Sequence, residues 1–214
     1  MSDDPCFLSA TELGQRIALR KVSPVEVTRA VLARAERLQP ELNCFITLCG
    51  EQALTQAKES ERRVVAGERR MLEGIPFTVK DIVNTKGVRT TFGAVPYSQN
   101  VPDHDAVAVA RLRAAGAILI GKTTTPEFGS KCLTDSPLFG RTRNAWSAER
   151  SSGGFPGGGA GGGVRLAQAP LSGNLRRGAG RVPAERPRGG RGVAQERTDA
   201  PPPHVWHLLE NSTA

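Results

Sequence analysis

The run Gly74-Ile75-Pro76-Phe77-Thr78-Val79-Lys80-Asp81 ends on the residue type most suited to chemistry in this chain. Phe77 and Val79 alternate with polar neighbours after a turn at Gly74, which predicts a strand with Lys80 at its end beside Asp81. A strand-end lysine is ordinarily a solvated charge. A buried one loses the hydration of its ammonium group, its pKa falls, and the neutral amine serves as a base toward a serine hydroxyl, an alternative to histidine in acyl transfer. About forty residues further on stands GAILIGKTTTPEFGS, and the Gly/Ser-rich segment ERSSGG follows at 149–154. Spacing alone leaves both readings of Lys80 open.

Other polar residues support plainer readings. His104, His204 and His207 read as solvated, because none has a second ligand at helical or strand spacing. Cys6, Cys44, Cys49 and Cys132 have no metal-ligand spacing and are expected as free thiols, so no metal and no cofactor is expected. Thr123 to Thr125 and Glu127 read as a turn and a helix start.

The elements that must position Lys80 follow from local signals. Ser9 and Glu12 form a capping box for a short helix. Ser23, Pro24 and Glu26 supply N-cap, N1 and N3 of a second, whose Val27, Val31, Ala35 and Leu38 fall at helical spacing until Pro40 is expected to stop it. Cys44 to Leu48 reads as a buried strand and Gln52 to Val65 as a polar helix with a thin apolar side. Asp105 is expected to cap a helix through Ala115, closed by Gly116, before a strand at Ile118 to Ile120. This alternation predicts an α/β chain, a sheet covered by helices.

Composition changes near residue 155. The stretch 157–214 holds 12 of the 24 glycines and 8 arginines against 4 acidic residues, and it has no lysine, so half of the net charge of +8 lies there. Gly and Pro make up 18 of its 58 residues, a proportion expected of disordered sequence. No apolar run approaches the ~18 residues of a membrane span, and the acidic start MSDDPCFLSATELG is unlike a secretory leader, so a cytoplasmic protein without membrane contact is expected.

The order GIPFTVKD, then DAVAVARLRAAGAILIGKTTTPEFG, then FGRTRNAW and ERSSGG resembles the amidase signature family from about residue 8 to residue 154. The resemblance implies a large α/β/α domain around a mixed twisted sheet, and hydrolysis of small carboxamides by a Ser, cis-Ser, Lys triad without metal or organic cofactor. It maps the lysine onto Lys80, the catalytic residue it assigns here. That lysine takes a proton from the cis-serine, which activates the nucleophilic serine, while backbone N–H groups of a glycine-rich loop hold the oxyanion.

The other two triad positions depart from the pattern. Where the family continues GGSSGG, this chain reads Gly153-Gly154-Phe155-Pro156-Gly157-Gly158, which sets Phe155 at the cis-serine. In place of the TDxGGSxRxP-like loop stands GNLRRGAGRVP, with no serine at the nucleophile. Ser130, Ser151 and Ser152 do not substitute, since such chemistry tolerates placement errors of only about an ångström. The family domain is also more than twice this length. The expectation is therefore residues 1–154 as the N-terminal part of an amidase domain and 155–214 as a disordered, aberrant tail, the whole an inactive, truncated form. A frameshift near codon 154 accounts for the tail, because Phe155-Pro156 must be TTY-CCN and the frame one base later permits Ser-Pro.

Two other functions compete: the glutaminase-type subunit of a tRNA-dependent amidotransferase, and a nucleic-acid-binding protein using the Arg/Gly-rich tail. The second is not expected, because the Arg-Gly clusters are irregular and aromatic interleaving is absent from 157–214 apart from Trp206.

Overall fold

The computed structural model describes residues 4–145, 147, 149, 150 and 152. Two capping boxes start its first two long helices. At α1 (Ala10–Ala18) the Ser9 hydroxyl accepts the Glu12 N–H and the Glu12 carboxylate accepts the Ser9 N–H. Ser23 and Glu26 repeat this at α2 (Pro24–Leu42), where Pro24 sits at the first helical position and forfeits no bond.

Helix α2 runs past Pro40, against the expectation that this proline stops it. A proline in the last turn forfeits only one intrahelical N–H bond. The helix ends at Asn43, whose left-handed backbone (φ 49°, ψ 53°) lets its N–H bond to the Gln39 carbonyl. The Asn43 side chain then donates to the carbonyls of Phe139 (2.7 Å) and Arg141 (3.2 Å), tying down the hairpin of β4 (Asp135–Ser136) and β5 (Gly140–Arg141); β1 and β2 here are Phe45–Leu48 and Pro76–Lys80, and β3 is Ile118–Thr123. Strand β1 is only half-buried, not fully buried as its apolar run suggested.

Strand β3 is the middle of a mixed three-stranded sheet, antiparallel to β1 and parallel to β2. All six of its residues are buried, because both faces are covered. Ile118 and Ile120 pack with Ile75 against α1, α2 and α3 (Gly50–Ala66) through Leu13, Ile17, Val27, Val31, Ala53 and Ala57. Leu119 turns the other way with Phe77 and Val79, onto Val109 of α4 (Val107–Ala114). The period of two in β2 and β3 thus separates two apolar layers, and each fully buried Ile or Leu contributes roughly 1.5–3 kcal/mol.

A register irregularity interrupts the β2–β3 ladder, Phe77 lying opposite Leu119 but Thr78 opposite Gly121. Gly121 is required there, since a Cβ would run into the Thr47 carbonyl of β1. Beyond the bulge Val79 lies opposite Lys122, and Lys80 opposite Thr123.

Asp105 does not cap α4. The helix starts from Ala106 with no side-chain cap. The Asp105 carboxylate instead accepts the Lys86 N–H (2.7 Å) and the Arg113 guanidinium (2.9 Å), joining the loop after β2 to the end of α4. Gly116 closes that helix with φ 95°, as expected. All four cysteines are free thiols, Cys6, Cys44 and Cys49 buried and Cys132 exposed. Among the described residues no helix is long and apolar enough to cross a membrane. The expected disorder of the tail lies outside the described residues.

Candidate active site

The carboxyl ends of parallel β2 and β3 emerge side by side, the place in an open α/β sheet where ligands bind. Lys80 is the last residue of β2, and the Asp81 N–H continues the ladder to the Thr123 carbonyl at 3.0 Å. Strand alternation sends Lys80 to the face of α1–α3 and Asp81 to the face of α4. Lys80 is half-buried, and that burial lowers its pKa from the ordinary lysine value of 10.5 to about 8. Near neutral pH a useful fraction of such an amine is free to take a proton.

Asp81 is 0% exposed. Burial raises its carboxyl pKa, while bonds from the Thr91 N–H (2.9 Å) and the Thr91 hydroxyl, together with the charge of Lys122, pull it down. The carboxylate therefore anchors the chain just after Lys80 by holding the turn at residue 91.

Lys122 was not singled out by the sequence. It is 0% exposed, and its Nζ donates to the Val83 carbonyl, to Thr85 Oγ1 (2.9 Å) and to Thr90 Oγ1 (3.0 Å). Burial lowers it too to about 8, opposed by the nearby Asp81 charge. One buried ammonium thus gathers the 83–90 loop from beneath, on the face opposite Lys80. The signal that could have revealed it is a lysine just after the apolar run Ile118 to Ile120 and Gly121, and before Thr123, Thr124 and Thr125, with Thr85, Thr90 and Thr91 in the preceding loop.

The serines differ in where they lie. Ser152 stands against the strand exit: its N–H and hydroxyl both approach the Thr142 carbonyl at 3.4 Å, and Thr142 Oγ1 pairs with Thr124 Oγ1 at 2.7 Å. Ser130 is exposed and donates its hydroxyl to the Glu127 carbonyl at 2.7 Å, so it is turned into its own loop. Ser151, Phe155 and the rest of the glycine-rich segment lie outside the described residues, as do His204 and His207. His104 is on the surface, its ring nitrogens facing Asp103 (2.7 Å) and Asn84 (3.1 Å). Among the described residues no group of three or more His, Cys, Asp or Glu side chains could hold a metal ion.

In this mixed α/β chain Lys80 thus stands at the end of a parallel strand with its amine desolvated. The family model for amidases matches residues 26–171, and the chain belongs to that family. It is 43% identical over 153 residues to a subunit of the glutamyl-tRNA(Gln) amidotransferase of Geotalea daltonii, an alignment covering 72% of this chain and 32% of that protein. Its identity to an acylamidase of Rhodococcus erythropolis is 40% over 149 residues, covering 69% and 31%. Among solved structures, native peptide amidase from Stenotrophomonas maltophilia superposes with a TM-score of 0.69 at 31% identity, covering 74% of this chain and 34% of that one. The chain thus spans about a third of the length of the relatives it matches.

Proposed function

We propose that this chain carries the lysine part of a carbon–nitrogen hydrolase site, with Lys80 as the base that draws a proton from a serine so that a second serine can attack a small carboxamide. The observation that carries the reading is Lys80 itself, desolvated at the carboxyl end of β2 with its pKa lowered to about 8. Asp81 and Lys122 support it by fixing the backbone on either side of the strand exit. The substrate is a small amide. The relatives' names point both to acylamidases and to the tRNA-dependent amidotransferase, and 43% against 40% identity does not separate them.

The polypeptide as it stands is inactive in this reading. Phe155 occupies the position of the cis-serine, and a benzyl side chain has no hydroxyl to relay a proton. Losing one member of such a triad costs several powers of ten in rate. The Arg/Gly/Pro-rich sequence after residue 154 is then an out-of-frame translation, and cytoplasmic residence remains part of the proposal.

One experiment addresses the whole reading: the purified chain and a chain re-encoded one base later from codon 155 are assayed for release of 4-nitroaniline from an acyl anilide. The present chain is expected at background, and a frame-restored chain is expected to gain turnover that Lys80→Ala abolishes. Turnover by the present chain that Lys80→Ala removes would overturn the inactive reading. Stop codons soon after codon 155 in the shifted frame would overturn the frameshift.

A further inference from the structure

Three aromatic rings gather beside the same strand exit. Phe92 and Tyr97 meet edge to face (centroids 5.3 Å, 84°), Tyr97 and Phe128 likewise (5.8 Å, 90°), and Phe92 and Phe128 lie nearly parallel at 6.1 Å. This is not a core cluster: Phe128 is 58% exposed and Tyr97 42%, with Val95 exposed beside them.

Two of the rings are mounted on backbone that phenylalanine rarely adopts. Phe92 has φ 54° and Phe128 φ 49°, both in the left-handed region. Such residues persist only where the surroundings over-determine them, and they concentrate at ligand sites. Here the surroundings do so. The Phe92 N–H bonds to the Asp81 carbonyl (3.0 Å), and the Phe128 N–H bonds to the Phe92 carbonyl (2.8 Å). Between them Gly93 passes so close to the chain leaving β3 that a Cβ would lie 2.8 Å from the Thr125 carbonyl oxygen, and Ser136 Oγ donates to the Gly93 carbonyl at 2.7 Å.

A glycine at 128 would remove both the backbone strain and the exposed apolar ring, yet a phenylalanine stands there. The backbone bonds tie the ring-bearing segments to Asp81, one residue from Lys80, so the cluster lies at the same carboxyl end of the sheet as the candidate site. Fixed edge-to-face rings favour another ring over an aliphatic group of equal area, because edge and face charges match in the offset and T-shaped contacts that a further ring can make.

We propose that Phe92, Tyr97 and Phe128 form the subsite that receives the aryl group of an aromatic carboxamide. This rests on the reading of the β2–β3 exit as an amide site, but it is tested by binding and needs no turnover. The full 214-residue chain is titrated with benzamide, cyclohexanecarboxamide and tetramethylammonium, with binding followed by saturation-transfer NMR on the ligand. Benzamide is expected to bind more tightly than cyclohexanecarboxamide, and Tyr97→Leu and Phe128→Leu are each expected to weaken it about three- to tenfold, the worth of one aromatic contact. Phe128→Gly guards against misfolding: it relieves the left-handed strain, so its thermal midpoint should hold or rise while benzamide affinity falls. Equal binding of the phenyl and cyclohexyl amides, unchanged affinity in Phe128→Gly, or displacement of benzamide by tetramethylammonium at equal concentration would overturn the proposal. Absence of anilide turnover in the frame-restored chain would sink the Lys80 reading and leave this binding result standing.

Discussion

Lys122 shows how much one side chain can organise when water is removed from it. Its ammonium group satisfies a carbonyl and two threonine hydroxyls of the 83–90 loop, and its charge offsets the buried Asp81 carboxylate on the same face. Methionine fills similar volume but donates nothing, leaving Val83, Thr85 and Thr90 without their donor and Asp81 without a compensating charge. Lys122→Met is therefore expected to destabilise the chain by about 3 kcal/mol in urea denaturation. Asp81→Asn should be costly in the parent and nearly harmless in the Lys122→Met background, a coupling of about 1 kcal/mol or more. Strict additivity of the two substitutions would show that they act independently.

The elements divide into those written locally and those written at a distance. Both capping boxes, the left-handed closure at Gly116 and the alternating pattern of β2 are legible because each depends on residues within one turn of the helix or strand concerned. Ser23→Ala, which removes one such local contact, is accordingly expected to cost about 1 kcal/mol, and Ser23→Asp to restore most of it, both read from the thermal midpoint. An equal loss in Ser23→Asp would locate the effect outside the cap. Asp105 carries a cap-like signature but is claimed by Lys86 and by Arg113, a contact that sequence pattern does not show. Pro40 reads as a stop, yet a last-turn proline leaves the helix intact through Leu42. Lys80 could be proposed from the sequence because a family-like motif surrounds it. Lys122 and the three rings could not, since their surroundings come from segments 32 to 39 residues away in one case and from a left-handed backbone at positions 92 and 128 in the other.

At the scale of the whole molecule, buried titratable groups of opposite kinds make stability depend on alkaline pH in two opposed steps. Lys80 and Lys122 are lowered from 10.5 to about 8 in the folded chain. Between these values the unfolded chain binds more protons than the folded one, so stability rises with pH from about 8 to 10.5; below about 8 both ammonium groups are held charged in the interior at a cost. The buried thiols act the other way. Burial pushes Cys6 from 9.0 to about 11 and Cys44 to about 12, so above 9 the unfolded chain releases thiol protons that the folded chain retains, and stability falls. The lysine gain begins about one unit before the thiol loss, which predicts a urea midpoint that climbs from pH 7.5 to about 9 and flattens or declines beyond it. The two arms are separable by substitution. Lys122→Met should roughly halve the climb, since Lys80 still contributes, and Cys44→Ala should lessen the decline while leaving the climb in place. A midpoint that falls steadily from pH 7.5 upward in the parent chain would contradict the buried, charge-penalised state assigned to the two lysines.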